Sequence, residues 1–353
     1  MPLDALTAKE RVWAAIDLKA CDRVPVGIPL TWFAARHAGV TMAEFSDNCE
    51  ANARAAVKTY QDLGGLDLIP MLGFSPVLMG AMMPMKQKFP GKELPADSII
   101  QYHEQEIMKP DEYDIVISQG WRYYEREYIL PRTHPEFTGP SGEMKLRNKQ
   151  QEAEKAAAKA LPSFSEAVTF DGVMALPPFE TLSMARSFSP FLLDLYRRPD
   201  RVIAAMDVMM TEIFDTLSSR LKASEKPFGS CAISRSAGTF ISPAQFQRFV
   251  FPYVKQIADL FMSRDLTMVF HLDQAWLKFL PLFRELPEGK YVLELDGATD
   301  IFAAKKIVGD RICLMGDVPA RLLKLGTPQS VEQYCRRLID NVGKGSGFIL
   351  SCG

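Results

Sequence analysis

Residues 266–296, LTMVFHLDQAWLKFLPLFRELPEGKYVLELD, contain two apolar runs separated by a segment of different character. The runs TMVF and YVLEL are short and continuously apolar, which is typical of strands that are buried on both faces. The segment AWLKFLPLFREL between them is predicted to be a helix. A buried strand, a helix and a second buried strand predict two parallel strands joined by a crossover helix.

The same alternation continues on both sides of this unit. Strands are predicted at intervals of roughly 25 to 40 residues, each followed by a helix, as expected of parallel βαβ units. At least seven such pairs can be counted, and no G-x-G-x-x-G pattern follows the first strand. We therefore predict an α/β fold of the (β/α)8 TIM barrel type rather than a doubly wound sheet. Residues 1–353 are expected to form one domain with an N-terminal helical extension.

An insertion at about residues 73–132 interrupts the alternation. Its first part, GFSPVLMGAMMPMKQKFPGKELP, is apolar, irregular and rich in methionine, proline and phenylalanine. A long insertion of this kind is more often a lid or a pocket wall than a linker. We expect an apolar substrate pocket here, with Phe74, Met83 and Phe179 as substrate-binding residues.

Composition limits the class of protein. The 353 residues include 41 lysines and arginines against 43 acids, which gives a net charge of -2. This balance creates no field that would attract nucleic acid or an anionic membrane. The six cysteines are scattered singly, as in reduced cytosolic enzymes, and no apolar run reaches the roughly 20 residues that span a bilayer. We expect a cytoplasmic protein that binds neither nucleic acid nor membrane.

Polar side chains collect where the predicted strands end, and (β/α)8 barrels place their active sites at these ends. In chain order these residues are Asp171, Ser234, Arg235, His271, Asp273, Glu294, Asp296, Asp317 and Cys352. His271, one acid and Cys352 could supply three ligands to zinc, although their spacing is not a compact zinc motif. An acid-base role and an ordinary core role both stay open for His271. Arg235 could bind an anion or form a structural ion pair.

Several segments of the second half resemble the uroporphyrinogen decarboxylase superfamily. They are SPAQFQRFVFPYVKQIAD, FHLD, GDVPARLLKLGTPQSVEQYCRRLID and GFILSCG, and they cover about residues 190–353. The first half resembles the superfamily only loosely, through RVPVG and the helix that leads to LGGLDLI. The resemblance implies a (β/α)8 barrel, in agreement with the strand pattern.

The resemblance is closer to the corrinoid-dependent methyltransferase branch than to the decarboxylases. The decarboxylases carry an arginine-rich motif of the type R-Q-A-G-R-Y for substrate carboxylates, whereas residues 32–40 here are WFAARHAGV and keep only Arg36. The methyltransferases bind zinc through H-x-C and a cysteine at the end of the last strand. Their pattern implies His271 and Cys352 as metal ligands, with Asp273 in place of the first cysteine and Glu294 as an alternative third ligand.

The resemblance therefore implies a methyltransferase with zinc as cofactor and with cobalamin carried by a separate corrinoid protein. We expect a small methylated substrate, for example an aryl methyl ether that undergoes O-demethylation, with metal or acid activation of the leaving group. Glu294, Asp296 and Arg235 are the predicted catalytic residues, and the chain could form a homodimer. The alternatives are a metal-free decarboxylase of porphyrinogen type and a catalytically silent barrel that serves as a scaffold.

Overall fold

The computed structural model describes residues 4–70, 72, 76–81, 83–170, 172–223 and 226–352. Its strands in chain order are β1 Leu68–Ile69, β2 Lys86–Lys88, β3 Gln101–His103, β4 Val168–Thr169, β5 Val173–Ala175, β6 Phe228–Ile233, β7 Thr267–Leu272, β8 Tyr291–Leu295, β9 Cys313–Val318 and β10 Phe348–Cys352. None of the helices in these residues is both long and apolar enough to pass through a membrane.

The α-helices are numbered α1 to α18 in chain order. They are Ala8–Ile16, Trp32–Ala38, Met42–Asp47, Cys49–Leu63, Pro76–Ala81, Tyr113–Gln119, Trp121–Tyr124, Leu130–Thr133, Gly139–Ala160, Pro178–Ala185, Phe188–Arg197, Pro199–Lys222, Pro243–Phe249, Phe251–Met262, Leu280–Phe283, Ile301–Val308, Ala320–Leu325 and Pro328–Asn341. A π-helical turn covers Glu125–Ile129, and 3₁₀ turns cover Pro135–Phe137 and Leu161–Phe164.

Parallel pairing arranges the strands as a barrel. β5 to β10 form one sheet in chain order, and β1 pairs with β4 in a second sheet. Isolated parallel bridges join Val26 to Leu350 and Gly27 to Leu68, so the segment around Val26 lies between β10 and β1. With β4 and β5 as two halves of one strand, the order is that of an eight-stranded ring whose pairing is interrupted between these halves. The predicted (β/α)8 fold is confirmed.

Two of the predicted strands are shorter than expected. RVPVGIPL contributes only isolated bridges, because Pro25 and Pro29 have no N–H group to donate to a neighbouring strand. AVTFDGVMAL is divided into β4 and β5 around Gly172, whose backbone lies so close to the Phe228 carbonyl that no side chain would fit. The strands from β6 onward lie where the alternation predicts them.

Alternate residues of the strands face the interior of the barrel. Val269, Val292, Cys313 and Ile349 pack together there, and α1 covers the amino end of the barrel from below through Val12, Ala15 and Ile16. The neighbouring residues in these strands face the layer between strands and helices instead. Because His271 follows Val269 by two residues and Glu294 follows Val292 by two, both side chains belong to the interior face.

Buried ion pairs fasten the amino end of the barrel. Arg11 donates from Nε to Asp22 at 2.7 Å and from a terminal nitrogen to Asp67, which precedes β1. Arg23 also donates to Asp67. The hydrogen bond from Arg11 holds the pKa of Asp22 well below its ordinary range, although burial opposes this.

The inserted segment contains regular structure, including α5, the antiparallel hairpin β2–β3 and α6 to α8. Its first part packs on Trp32, which follows the ring segment around Val26. At the end of the hairpin, Glu104 accepts a hydrogen bond from Arg235 in the loop after β6. The insertion therefore contacts the carboxyl side of the barrel from the first strand position to the fourth.

Candidate active site

His271 and Glu294 lie side by side at the carboxyl ends of β7 and β8. They are direct partners in the parallel register of these strands, and His271 Nδ1 lies 2.7 Å from Glu294 Oε2. The side chain of Glu294 is 11% exposed, whereas that of His271 is 34% exposed. A buried carboxylate thus supports a more exposed imidazole, whose other ring nitrogen, Nε2, lies near Asp273 and makes no hydrogen bond within the described residues.

The carboxylates around His271 favour its protonated form. Burial alone would lower the pKa of this imidazole, but the hydrogen bond with Glu294 and the charges of Glu294, Asp273 and Asp296 raise it to about 9. His271 is therefore an imidazolium at neutral pH, with protons on both ring nitrogens. This environment favours a hydrogen-bond donor.

Asp273 and Asp296 complete the charged rim around this pair. Asp273 Oδ1 lies 3.5 Å from His271 Nε2. Asp296 accepts hydrogen bonds from the backbone N–H groups of Gln274 and Ala298, each at 2.9 Å. Asp296 thereby ties the loop after β7 to the loop after β8. The structure places the two predicted catalytic acids in one group with His271, Glu294 as its hydrogen-bond partner and Asp296 as a neighbouring charge.

Asp317 at the end of β9 is more deeply buried than Glu294. The hydroxyl of Tyr334 in α18 donates a 3.0 Å hydrogen bond to its Oδ1. Burial raises the pKa of Asp317 to about 7 against the opposing hydrogen bond from Tyr334, and the charges of Asp300 and Asp296 add smaller contributions in the same direction as burial. A carboxyl group that can hold a proton at neutral pH therefore lies one strand beyond Glu294.

Among the predicted zinc ligands, Asp273 and Glu294 lie beside His271, whereas Cys352 ends a separate strand. Within the part of the chain that the structure describes, no three His, Cys, Asp or Glu side chains form a group that could hold a metal ion. Cys352 lies on the same face of β10 as Phe348 and packs toward the helices, and burial raises the pKa of its thiol. His271 already has a carboxylate near each ring nitrogen. Zinc binding by His271, Asp273 and Cys352 therefore stays a prediction, and no step below depends on it.

Arg235, the remaining predicted catalytic residue, makes structural contacts. Its Nε donates to the Ser183 hydroxyl at 2.8 Å, and its terminal nitrogens donate to the Ser183 carbonyl at 3.0 Å and to Glu104 at 2.5 Å. The guanidinium also lies 4.7 Å from the centre of the Phe188 ring. Of the two roles considered for this arginine, the structure shows the ion pair, which fastens the insertion beside the mouth.

The predicted substrate-binding residues have different environments. Phe74 lies outside the described residues, and Met83 is partly buried after α5. Phe179 is fully buried in the core, and its role in substrate binding stays a prediction. Apolar surface near Arg235 comes instead from Phe188 and Phe240, whose rings meet edge to face at 4.6 Å.

Two residues that shape the site, Tyr334 and Glu104, could not be found from the sequence. Tyr334 is separated from Asp317 by 17 positions and reaches it from a helix, so no local pattern connects the two. Glu104 lies 131 positions before its partner Arg235. The only signal in the sequence was the position of Asp317 and Arg235 at strand ends, which made them candidates without showing their partners.

Comparison with known proteins identifies the family of the chain. The sequence profile of the family described as uroporphyrinogen decarboxylase (URO-D) matches residues 144–353. This chain belongs to the URO-D family. The matched region contains every strand from β4 to β10, and it therefore includes the whole group around His271, Glu294 and Asp317.

Curated relatives of this URO-D family member match over part of their length. A uroporphyrinogen decarboxylase of Pseudoalteromonas translucida is 24% identical over 164 residues, which are 45% of this chain and 44% of that protein. A uroporphyrinogen decarboxylase of Coxiella burnetii is 25% identical over 165 residues, 45% of this chain and 43% of that protein. The chain thus spans less than half the length of the curated relatives it matches.

A solved structure resembles the URO-D chain over nearly its full length. A methyltransferase from Methanosarcina mazei superposes with a TM-score of 0.66 and covers 99% of this chain and 93% of its own. Their sequences are 17% identical, so this likeness shows the fold alone. It extends the barrel fold to the first half of the chain, where the sequence resemblance was loose.

Proposed function

We propose that this URO-D family member is a methyltransferase that moves a methyl group from a small methylated substrate to a corrinoid carried by a separate protein. One observation carries the proposal: the 2.7 Å contact between His271 and Glu294 holds an imidazolium at the barrel mouth. Methyl transfer from oxygen or nitrogen is slow because the departing group is poor. A proton-bearing group beside the departing atom makes it a better leaving group.

Each residue has a task in the proposed reaction. Nε2 of His271 donates a hydrogen bond to the departing heteroatom and stabilises the negative charge that develops there. Glu294 keeps the imidazolium protonated and fixes the orientation of its ring. Asp296 holds together the two loops that surround the pair. The corrinoid, when its protein is docked, supplies a strong nucleophile for the methyl carbon.

The charges at the mouth favour this function over porphyrinogen decarboxylation, the second candidate. A substrate with several carboxylates requires cationic groups that bind them. The rim at β7 and β8 instead presents Asp273, Glu294 and Asp296. The guanidinium of Arg235 is already bonded to Glu104 and Ser183. These contacts support a substrate without multiple carboxylates.

We further propose an aryl methyl ether as the substrate class. The Phe240 side chain is 39% exposed and lies edge to face with Phe188 beside the mouth, which provides a surface for an aromatic ring. The insertion contacts the barrel between Trp32 and Arg235. The rim formed by β7 to β9 lies outside this span. We propose that the corrinoid protein approaches the barrel from that side.

To test the proposal, the purified protein is assayed for two reactions. In the first, methoxybenzene and cob(I)alamin are mixed with the protein, and the loss of cob(I)alamin absorbance is followed. In the second, uroporphyrinogen is supplied without corrinoid, and the release of carboxyl groups is followed by chromatography. We expect methyl transfer that is lost in His271→Asn, and no turnover of the porphyrinogen. Turnover of the porphyrinogen without methyl transfer would contradict the proposal and support the decarboxylase.

A further inference from the structure

Asp317 is a buried carboxyl group that no cationic side chain of the described residues neutralises. The residue is 2% exposed, and the hydroxyl of Tyr334 donates to its Oδ1 at 3.0 Å. Lysine, arginine and histidine side chains of the described ranges form no ion pair with it, and the nearby charges that act on it are those of Asp296 and Asp300. Asp317 therefore differs from Asp22, Asp67 and Asp194, whose buried side chains all face arginine.

A carboxyl group in such surroundings keeps its proton. Loss of solvent and two negative neighbours both make ionisation unfavourable. The pKa of Asp317 accordingly rises to about 7. An acid with a pKa near the working pH can both hold and release its proton, which suits general acid catalysis. His271 has a pKa of about 9 and therefore keeps its proton to a higher pH than Asp317. It is the weaker proton source of the two, and it remains a hydrogen-bond donor over a wider range of pH.

The charge of Asp296 raises the pKa of both His271 and Asp317. Glu294 is the register partner of Met315, which precedes Asp317 by two residues in β9. Asp317 thus follows on the next strand of the same rim.

We infer that Asp317 supplies the proton that the departing heteroatom takes, and that Tyr334 positions it. This inference rests on the proposed methyl transfer. In that reaction the bond between oxygen and the methyl carbon breaks, and its electron pair stays on oxygen. The oxygen takes the proton of Asp317 and leaves as a phenol, while the reduced corrinoid provides both electrons of the new bond to the methyl carbon. Water then returns a proton to Asp317.

Tyr334 determines which oxygen of Asp317 carries the proton. Because Oδ1 accepts the hydrogen bond of the tyrosine hydroxyl, the proton of the carboxyl group belongs on Oδ2. Burial and the neighbouring Asp317 raise the pKa of Tyr334, so the hydroxyl stays neutral and remains a donor. Tyr334 is therefore a positioning residue, and its loss should weaken proton donation without abolishing it.

The test compares variants on aryl methyl ethers whose phenols differ in acidity, with cob(I)alamin as acceptor. A missing proton donor matters most for the poorest leaving group, so Asp317→Asn should lose about 100-fold on methoxybenzene and far less on nitro-substituted methoxybenzene. Tyr334→Phe should show the same trend with a smaller loss. Asp310→Asn is the matched control, since Asp310 pairs with Arg284 near the opposite end of β9 and should leave both rates unchanged.

An equal loss of rate on every ether would overturn the inference, because a structural defect does not depend on the leaving group. A wild-type protein that transfers no methyl group would contradict the proposed function itself. Infrared difference spectra of wild type and Asp317→Asn test the proton without any turnover. The band of a protonated carboxyl group should be present in the wild type at slightly acid pH and absent from the variant. A wild type without this band would overturn the inference even if methyl transfer occurs.

Discussion

Aspartates are buried at both ends of this barrel, and the two ends treat them in opposite ways. At the amino end, Asp22 and Asp67 face the guanidinium groups of Arg11 and Arg23, and the pKa of Asp22 is lowered. At the carboxyl end, Asp317 faces a tyrosine and two further carboxylates, and its pKa rises to about 7. Carboxylates paired with arginine hold the fold together, whereas a carboxyl group that keeps its proton is available for chemistry.

The largest effect on stability is expected when the ion pairs at the amino end of the barrel are broken. Arg11→Leu leaves Asp22 buried without its arginine and Asp67 with Arg23 alone, and it should lower the free energy of unfolding by about 3–5 kcal/mol. Denaturant unfolding followed by circular dichroism measures this loss. The matched change at the other end, Asp317→Asn, substitutes a neutral group of the same shape and should alter the free energy by less than about 1 kcal/mol. Equal losses of unfolding free energy in Arg11→Leu and Asp317→Asn would contradict the proposed difference between the two ends of the barrel.

At the carboxyl end the larger effect should be on rate rather than on stability. Glu294→Gln keeps the shape of the side chain but removes the charge that holds the His271 proton. Methyl transfer to cob(I)alamin should therefore fall about 100-fold, while the unfolding transition stays close to that of the wild type. A variant that unfolds early but transfers methyl groups at the normal rate would assign Glu294 to the fold.

The pH dependence of stability separates the two kinds of aspartate. Folded Asp317 keeps its proton where the unfolded chain has lost it, so its contribution to stability falls as pH rises from the ordinary pKa of 3.8 to about 7. The contribution of Asp22 is present above 3.8 and is lost as pH falls through its lowered pKa. The free energy of unfolding of wild type, minus that of Asp317→Asn, should decline over the first interval. A difference independent of pH would mean that folded Asp317 is ionised.

The smallest effect is expected where the insertion is fastened. The Glu104 side chain is 44% exposed, so Glu104→Gln should reduce the free energy of unfolding by less than about 1 kcal/mol. Loss of the bond to Arg235 should nevertheless make the hairpin β2–β3 more susceptible to limited proteolysis. Glu127→Gln, which removes an exposed pair with Arg126, is the control. Identical digestion of the two variants would show that Glu104 does not hold the insertion.

Much of the second half of the barrel could be predicted from the sequence. β6 to β10 are covered on both faces, so each appears as an apolar run that a helix separates from the next. The first half could not be predicted as well, because the segment around Val26 pairs only through isolated bridges between prolines. In the inserted segment, the contacts to Trp32 and Arg235 depend on tertiary packing that no local pattern encodes.

The candidate site, like the fold, could be predicted only in part from the sequence. His271, Glu294 and Asp296 could be found because parallel strands end at one rim. Cys352 also ends a strand, but it lies on the face of β10 that packs against the helices. Because side chains alternate between the two faces of a strand, a difference of one position along the strand decides which face a residue occupies. Tyr334 could not be found, because its contact with Asp317 depends on how α18 packs against β9.

The central claim is that the carboxyl end of this barrel holds protons that its carboxylates keep in place. Nuclear magnetic resonance titration of the imidazole groups tests it directly, with His271→Asn to assign the signal among the four histidines. We predict that His271 titrates with a pKa of about 9 in the wild type and with a lower pKa in Glu294→Gln. A His271 that titrates near its ordinary value of 6.5 in both proteins would contradict the claim.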